Sequence, residues 1–145
     1  YLMSNFFAVR AEIAKKLEDI SEFKKVYTPI NMGSITELSQ VTPNAHVNYF
    51  RTNVLDIAGR GKVTKLGLQW DVTVTERHAA SQLGDGSKAI DRAGELISKV
   101  ITLLSGWQPA SSKDPLKLIS IGEEFSSTCV YLTAVFESTK FTNQE

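Results

Sequence analysis

The sequence has few of the residues that usually carry chemistry. Its 145 residues include one cysteine, which excludes an internal disulfide and a cage of thiolate ligands for a metal. Sixteen Lys and Arg balance sixteen Asp and Glu, so the formal net charge is +0. This balance disfavours nucleic-acid binding, because such proteins usually carry a basic excess. The longest apolar-rich runs, residues 2–9 and 96–104, are too short and too mixed to cross a bilayer, so no membrane partner is expected.

The remaining composition is that of an ordinary globular domain. Hydrophobic residues make up 42% and charged residues 22% of the chain, which excludes disorder as its main state. A folded chain of this length buries roughly 68% of its surface, which is enough for one core. We therefore expect a single domain over residues 1–145, with an ordered core from about residue 4 to 140 and a loose tail over residues 141–145. Met3 is the expected natural start.

Apolar residues recur at helical spacing in two stretches. They predict amphipathic helices over residues 4–19 and 87–105. Gly106 follows the second helix where a left-handed residue is favoured, and Trp107 stands where an apolar contact closes a helix end. The spacing of Ser34 and Glu37 matches a capping box and predicts a short third helix through Val41. The apolar positions of the two long helices are Phe6, Val9, Ile13, Leu17, Ile20, Ile90, Ala93, Ile97, Val100, Ile101 and Leu104.

Residues 63–77 alternate strictly between two faces. Even positions such as Leu66, Leu68 and Trp70 are apolar, whereas odd positions such as Gln69 and Asp71 are mostly polar and are predicted to face solvent. This pattern is typical of an antiparallel strand with one wet side. The other predicted elements are strands over residues 45–53, 116–121 and 127–138, a strand or extended linker over 23–27, and turns over 59–62 and 122–126.

These elements predict an α+β fold. We expect a mainly antiparallel four- to five-stranded sheet, two long helices packed on one face and a protruding β-hairpin. Fifteen residues of strand span roughly 50 Å, while a globule of this length has a diameter of ~38 Å. Part of the hairpin over residues 48–77 should therefore overhang the core and pair with a neighbouring subunit. Two alternatives stay open: a sheet that curls within a monomer, and a run that is only partly strand.

No local motif predicts a catalytic, cofactor or metal site. Gly59-Arg60-Gly61-Lys62 lacks the first Gly and the final Ser or Thr of a phosphate loop, which leaves a hairpin turn or a basic loop that touches a partner. His46 and His78 are thirty-two residues apart and have no companion thiolates, so they are expected to be solvated or to lie at strand edges. Cys129 is expected to be an inert strand residue, and Glu123 and Glu124 a solvated pair in a turn. Trp70 and Trp107 are both expected in the core.

The order of elements and three local stretches resemble the phage tail terminator family, whose members are also called tail completion or minor tail proteins. The likeness covers about residues 4–140, and its motifs are hydrophobic patterns with a Gly-Trp-x-Pro tag. The stretches are Leu68-Gln69-Trp70-Asp71-Val72-Thr73-Val74, Leu103-Leu104-Ser105-Gly106-Trp107-Gln108-Pro109 and Val130-Tyr131-Leu132-Thr133-Ala134-Val135-Phe136.

The resemblance implies a structural protein of the virion, assembled in the host cytoplasm, without enzymatic activity. It implies a homo-hexameric ring at the head-proximal end of the tail, in contact with the tail tube protein, the neck or connector protein and, in contractile tails, the sheath protein. DNA would pass through the lumen without sequence-specific binding. From the hairpin itself, the residues inferred to contact a subunit or partner are Asp56, Arg60, Lys62, Lys65 and Arg77.

Three other functions compete with this interpretation. Another neck or tail-tube ring component has similar requirements, although a tube protein would form long polymers alone. A small α+β module that binds a small ligand or RNA would expose aromatic residues on its open sheet face, and the polar positions of residues 63–77 include none. A small enzyme would need convergent titratable groups, which the sequence does not show.

Overall fold

The structure, a computed structural model, describes residues 5–28, 40–78 and 87–142. Most of the short helix predicted from Ser34 lies outside these ranges. The elements are α1 (Ala8–Leu17), β1 (Lys25–Tyr27), β2 (Asn44–Ala58), β3 (Val63–Arg77), α2 (Ser87–Leu104), β4 (Lys117–Phe125) and β5 (Cys129–Phe141). The prediction for α2 is confirmed to within one residue, while α1 is shorter than predicted and begins at Ala8.

The five strands form one mixed sheet in the order β1-β2-β3-β5-β4. Three neighbouring pairs are antiparallel, whereas β1 runs parallel to β2, with Lys25 opposite Asn44 and Tyr27 opposite His46. The parallel pair was not predicted. It is possible because residues 28–43 separate the two strands, and a parallel connection needs a crossover of about a dozen residues or more. The α+β class is therefore confirmed with a mixed sheet.

One apolar core holds the even-numbered face of β3 and buried residues of both helices. Trp70 at the centre of β3 is fully buried, and Ile13 and Leu17 of α1 and Val100 and Leu104 of α2 belong to the same cluster. These residues carry the two- and 3.6-residue periods of the sequence, so burial follows the pattern that predicted the elements.

The end of α2 has the left-handed glycine that the sequence predicts, and it is hydrogen-bonded to the segment before β4. Gly106 has a φ of +80° as expected. Its N–H donates to the Leu116 carbonyl (3.0 Å), and the Leu116 N–H donates to the Trp107 carbonyl (2.9 Å). Trp107 is half-buried beside the Lys16 ammonium, 5.6 Å from the centre of its ring. Its predicted place in the core is therefore only partly confirmed.

The linker between α2 and β4 covers the end of β5. The Lys113 N–H donates to the Thr139 carbonyl (2.9 Å), and the Thr139 N–H donates to Ser112 Oγ (3.0 Å). The Thr139 hydroxyl donates to Asp114 (2.7 Å), and this bond, aided by Lys65 3.3 Å away, lowers the pKa of that carboxyl.

Two predicted boundaries near the C-terminus are wrong. Gly122 pairs with Thr133 inside β4, so the turn predicted over residues 122–126 is strand as far as Phe125. The pattern did not reveal this strand because β4 is exposed on both faces and so shows no clean alternation. β5 continues to Phe141, which pairs with Lys65, one residue into the predicted tail.

Within the described ranges, neither helix combines the length and apolar character that crossing a bilayer requires.

Candidate assembly surface

The hairpin of β2 and β3 ends in a segment that we call the arm, residues 50–65. Gly59, Arg60 and Gly61 at its tip all have positive φ values (57°, 59° and 90°), which reverses the chain between the strands. Arg60 adopts a left-handed conformation that costs a non-glycine residue roughly 1 kcal/mol. Among the described residues, β1 pairs only with the first three residues of β2, Asn44, Ala45 and His46. The outer edge of β2 is therefore open along the arm.

The arm exposes apolar side chains on the same face of the sheet as the core. Val54 and Ile57 lie opposite Leu66 and Thr64 of β3, at even positions of that strand. They are 59% and 60% exposed, although β-branched residues at such positions are usually buried. A contiguous exposed apolar patch commonly marks a contact with another protein.

Three bulges interrupt the sheet, and each inserts a large apolar residue. Phe50 and Leu55 are the extra residues of β2, and Ile119 is the extra residue of β4. All three are exposed. A bulge re-aims side chains and bends its strand, and bulges are common at sheet edges. Nothing in the periodicity of the sequence marks these positions.

The structure brings together four of the five charged residues inferred from the hairpin. Asp56, Arg60 and Lys62 are exposed near the tip, and Lys65 lies on the arm with its ammonium 3.3 Å from Asp114. Arg77 lies at the opposite end of β3, where its Nη2 donates to the Gln40 carbonyl (2.9 Å).

A second apolar surface lies on β4, which is the last strand of the described sheet on that side. Leu118, Ile121 and Phe125 pair with Phe136, Ala134 and Val130 of β5, so they share the face of the core. Their side chains are nevertheless exposed, because they extend beyond the buried centre of the sheet. Sequence reasoning missed this surface. The signal available was Glu123 between Ile121 and Phe125, since a charge on an apolar face argues against full burial.

The opposite face of the sheet is less exposed to solvent than predicted. Gln69 is only 3% exposed, because it donates to Glu137 (3.3 Å) and accepts from Arg51 Nε (3.1 Å). Gly67 beside it leaves room for these groups: a Cβ there would lie 2.7 Å from the Glu137 carboxylate and 3.1 Å from Leu55. Long side chains of β2 and β5 therefore cover the centre of the polar face. Burial also raises the pKa of Asp71 on that face.

His46 was predicted to be solvated or to lie at a strand edge, and the prediction that it is solvated is wrong. It is 8% exposed, packs edge-on against Tyr27 and lies 3.3 Å from Gln40 Oε1. The same Gln40 oxygen accepts from the Asn44 amide (3.0 Å), so these groups form a buried polar network. Burial lowers the pKa of His46 from 6.5 to about 4.

This shift predicts acid sensitivity. In the unfolded chain His46 takes up a proton below pH 6.5, whereas in the folded chain it does so only near pH 4. The free energy of unfolding should therefore fall as the pH is lowered between these values, by up to about 3 kcal/mol. Urea titrations at pH 7 and pH 4.5 measure this fall. The His46→Gln variant should lose much of it and the His78→Gln variant should keep it, and equal falls in all three proteins would contradict the prediction.

The described residues hold no group of three or more His, Cys, Asp and Glu that is placed to bind a metal. Cys129 is buried and free, as an inert strand residue should be. His78 lies 3.3 Å from the Ser126 carbonyl. Glu123 and Glu124 are exposed as predicted, but on strand β4 and not in a turn. The exposed surfaces of the arm and β4 are therefore the strongest candidate site.

Comparison with known proteins bears on what these surfaces serve. A comparison with curated proteins found no match. A family model described as "Phage tail terminator protein" matches residues 3–144, nearly the whole chain. This agrees with the likeness of the β3, α2 and β5 stretches in the sequence. The chain therefore belongs to the phage tail terminator family and is a structural component of the virion tail.

Proposed function

We propose that six copies of this protein form a ring that caps the tail tube at its head-proximal end and joins it to the neck or connector. The observation that carries the proposal is the pair of exposed apolar surfaces at two separate edges of one sheet, on the arm and on β4. Membership of the tail terminator family supports the role in the tail. The number six comes from what the family resemblance implies.

The positions of the two surfaces favour head-to-tail contact between copies. β3 and β5 separate β2 from β4, and three spacings between strands amount to about 14 Å. The arm and β4 of one molecule therefore do not reach each other. Contact between two different surfaces of identical molecules is heterologous. It forms a closed ring when the rotations between successive copies add up to one full turn. A closed ring leaves no free head-to-tail surface, so it fixes the number of copies in the ring.

Within this ring, we assign the charged tip of the arm to contacts with a neighbour or a tail partner. Asp56, Arg60 and Lys62 are exposed there, and Lys65 remains beside them on β3. Arg77 stays a prediction for a separate contact, since it lies at the other end of that strand. The partners are the tail tube protein, the neck or connector protein and, in a contractile tail, the sheath protein. The balanced charge of the chain suits a lumen through which DNA passes without sequence-specific binding.

Native mass spectrometry and a tube-growth assay test the proposal. The purified protein should form hexamers, alone or on tube ends, and should stop elongation when added to growing tail tubes. Assembly should take place in the host cytoplasm and leave the protein at the head-proximal end, which immunogold labelling of virions checks. Indefinite polymers of the protein alone would instead favour a tube component. A monomer that neither assembles nor alters tube growth would refute the ring.

A further inference from the structure

We propose that the outer edge of β2 on the arm pairs in antiparallel fashion with the outer edge of β4 on the next copy, with Val54 opposite Ile121. The inference rests on the proposed ring for the existence of neighbouring copies, and it specifies their contact. It joins the sheets of successive subunits into one continuous sheet. Each strand then satisfies backbone groups that an open edge leaves unpaired.

Among the residues that the structure describes, no strand covers either edge over these matching lengths. β4 has nine residues, Lys117–Phe125, and the last nine residues of β2, residues 50–58, lie beyond the part of β2 that β1 covers. The directions also match. β4 runs opposite to β5, which runs opposite to β3, which runs opposite to β2, so β4 is antiparallel to β2. Within one chain Ile121 is level with Val47, through Ala134 and Val72, so Val54 comes opposite Ile121 only when the neighbour is displaced by seven residues along the strands. Strands that are inclined to the ring axis give such a stagger in a closed ring, and a neighbour's β2 still meets β4 in antiparallel orientation.

The faces and the bulges favour one register. With Val54 opposite Ile121, Ile57 lies opposite Leu118, and all four side chains share the core side of their sheets. The Leu55 and Ile119 bulges then come level with each other, so both strands deviate from regularity at the same place. A shift of one residue would set the apolar side chains of one strand against the polar face of the other.

The same register sets opposite charges against each other. Arg51 lies opposite Glu124, and both are exposed and lie on the polar face, at the positions of Gln69 and Tyr131. Over the arm as a whole, four cations accompany one carboxylate, whereas β4 has two carboxylates and one ammonium. The arm and β4 are therefore complementary, while pairing of two arms would bring like charges together.

Charge reversal tests the pairing. The variants Arg51→Glu and Glu124→Arg should each raise the concentration needed for hexamer formation by about tenfold or more, since like charges directly opposite each other destabilise a strand pair and the contact repeats around the ring. The double variant should restore assembly toward the original concentration. Glu95→Arg, a change of the same kind on the exposed face of α2, is the control and should leave assembly unaltered. Hexamers with no loss in either single variant would overturn the pairing and leave the ring intact.

Cysteine cross-linking tests the register independently. When a Val54→Cys chain is mixed with an Ile121→Cys chain and oxidised, a covalent dimer should form, because Cβ atoms of directly opposed residues lie within reach of a disulfide. A mixture of Val54→Cys with Lys117→Cys should not cross-link, since that pair is four residues out of register. Cross-linking of Val54→Cys chains with themselves would show arm-to-arm pairing and overturn the proposal. Absence of any oligomer, on tube ends included, would instead refute the proposed function.

Discussion

Replacing Trp70 with alanine is expected to lower the free energy of unfolding by about 3–5 kcal/mol, the usual cost of removing a fully buried tryptophan. The Trp70 indole is fully buried in the core. Its ring centre is 5.6 Å from that of Tyr49 and 6.4 Å from that of Phe7, in edge-to-face arrangements that add to the burial. Its Nε1–H donates to Ser138 Oγ (2.8 Å), so the alanine variant also leaves a buried hydroxyl without its donor. Equilibrium urea unfolding measures the loss.

Two variants separate these contributions. Trp70→Phe keeps an aromatic ring but removes the hydrogen bond to Ser138, so it should cost less than Trp70→Ala. Trp107→Ala should cost only about 1–2 kcal/mol, because Trp107 is half-buried and its cation–π contact with Lys16 is worth about 0.5–1 kcal/mol. Equal losses for Trp70→Ala and Trp107→Ala would contradict the assignment of Trp70 to the centre of the core.

Deleting residues 55–61 is expected to abolish the proposed hexamer while the domain still folds. The deletion removes the tip and the exposed Leu55 and Ile57, none of which belongs to the buried core. The free energy of unfolding should therefore change by less than about 1 kcal/mol, as it does for changes away from buried contacts. Native mass spectrometry reports the loss of the ring, and urea unfolding of the same samples reports the intact fold.

A matched control replaces the chemistry of the arm without shortening it. Val54→Asp combined with Ile57→Asp keeps the hairpin length but places charges on its exposed apolar face, and it should abolish the ring as the deletion does. Lys88→Asp on α2 adds charge of the same sign at an exposed site away from both surfaces and should have no effect on assembly. A deletion variant that fails to fold would show that the arm stabilises the monomer, and the arm's role would then depend on the point variants alone.

The parts of the fold that the sequence predicted best are those with one buried face. β3 alternates because every second side chain packs into the core, and its bounds, Val63–Arg77, are those predicted. α2 has a continuous apolar stripe for the same reason. β4 has no buried face, so its alternation is lost and a turn was predicted from Gly122 onward. The parallel pairing of β1 depends on a crossover, which no periodicity records.

The candidate site was predicted in part. The exposed charges near Arg60 follow from the turn. The predicted overhang is limited to the tip, because β5 pairs with β3 as far as Lys65. The apolar residues of the surface could not be predicted from the sequence. Val54 and Ile121 are residue types found in any strand, and only their position at a sheet edge leaves them exposed. His46 was misjudged because its burial comes from Tyr27 and Gln40, which are distant in sequence or follow no helical or strand period.

The hydrogen bonds of Ser112 and Lys113 to Thr139 limit where a strand from another molecule can bind. Ser112 and Lys113 occupy both backbone groups of Thr139, so β5 offers no free hydrogen-bonding groups at that residue, just beyond the end of β4. An incoming strand that slides along the β4 edge toward the tip of the hairpin therefore meets satisfied backbone past Lys117 and gains nothing by going further. If copies pair along β4 as proposed, these satisfied groups would favour one end point for the pairing, and every contact between copies would then have the same length.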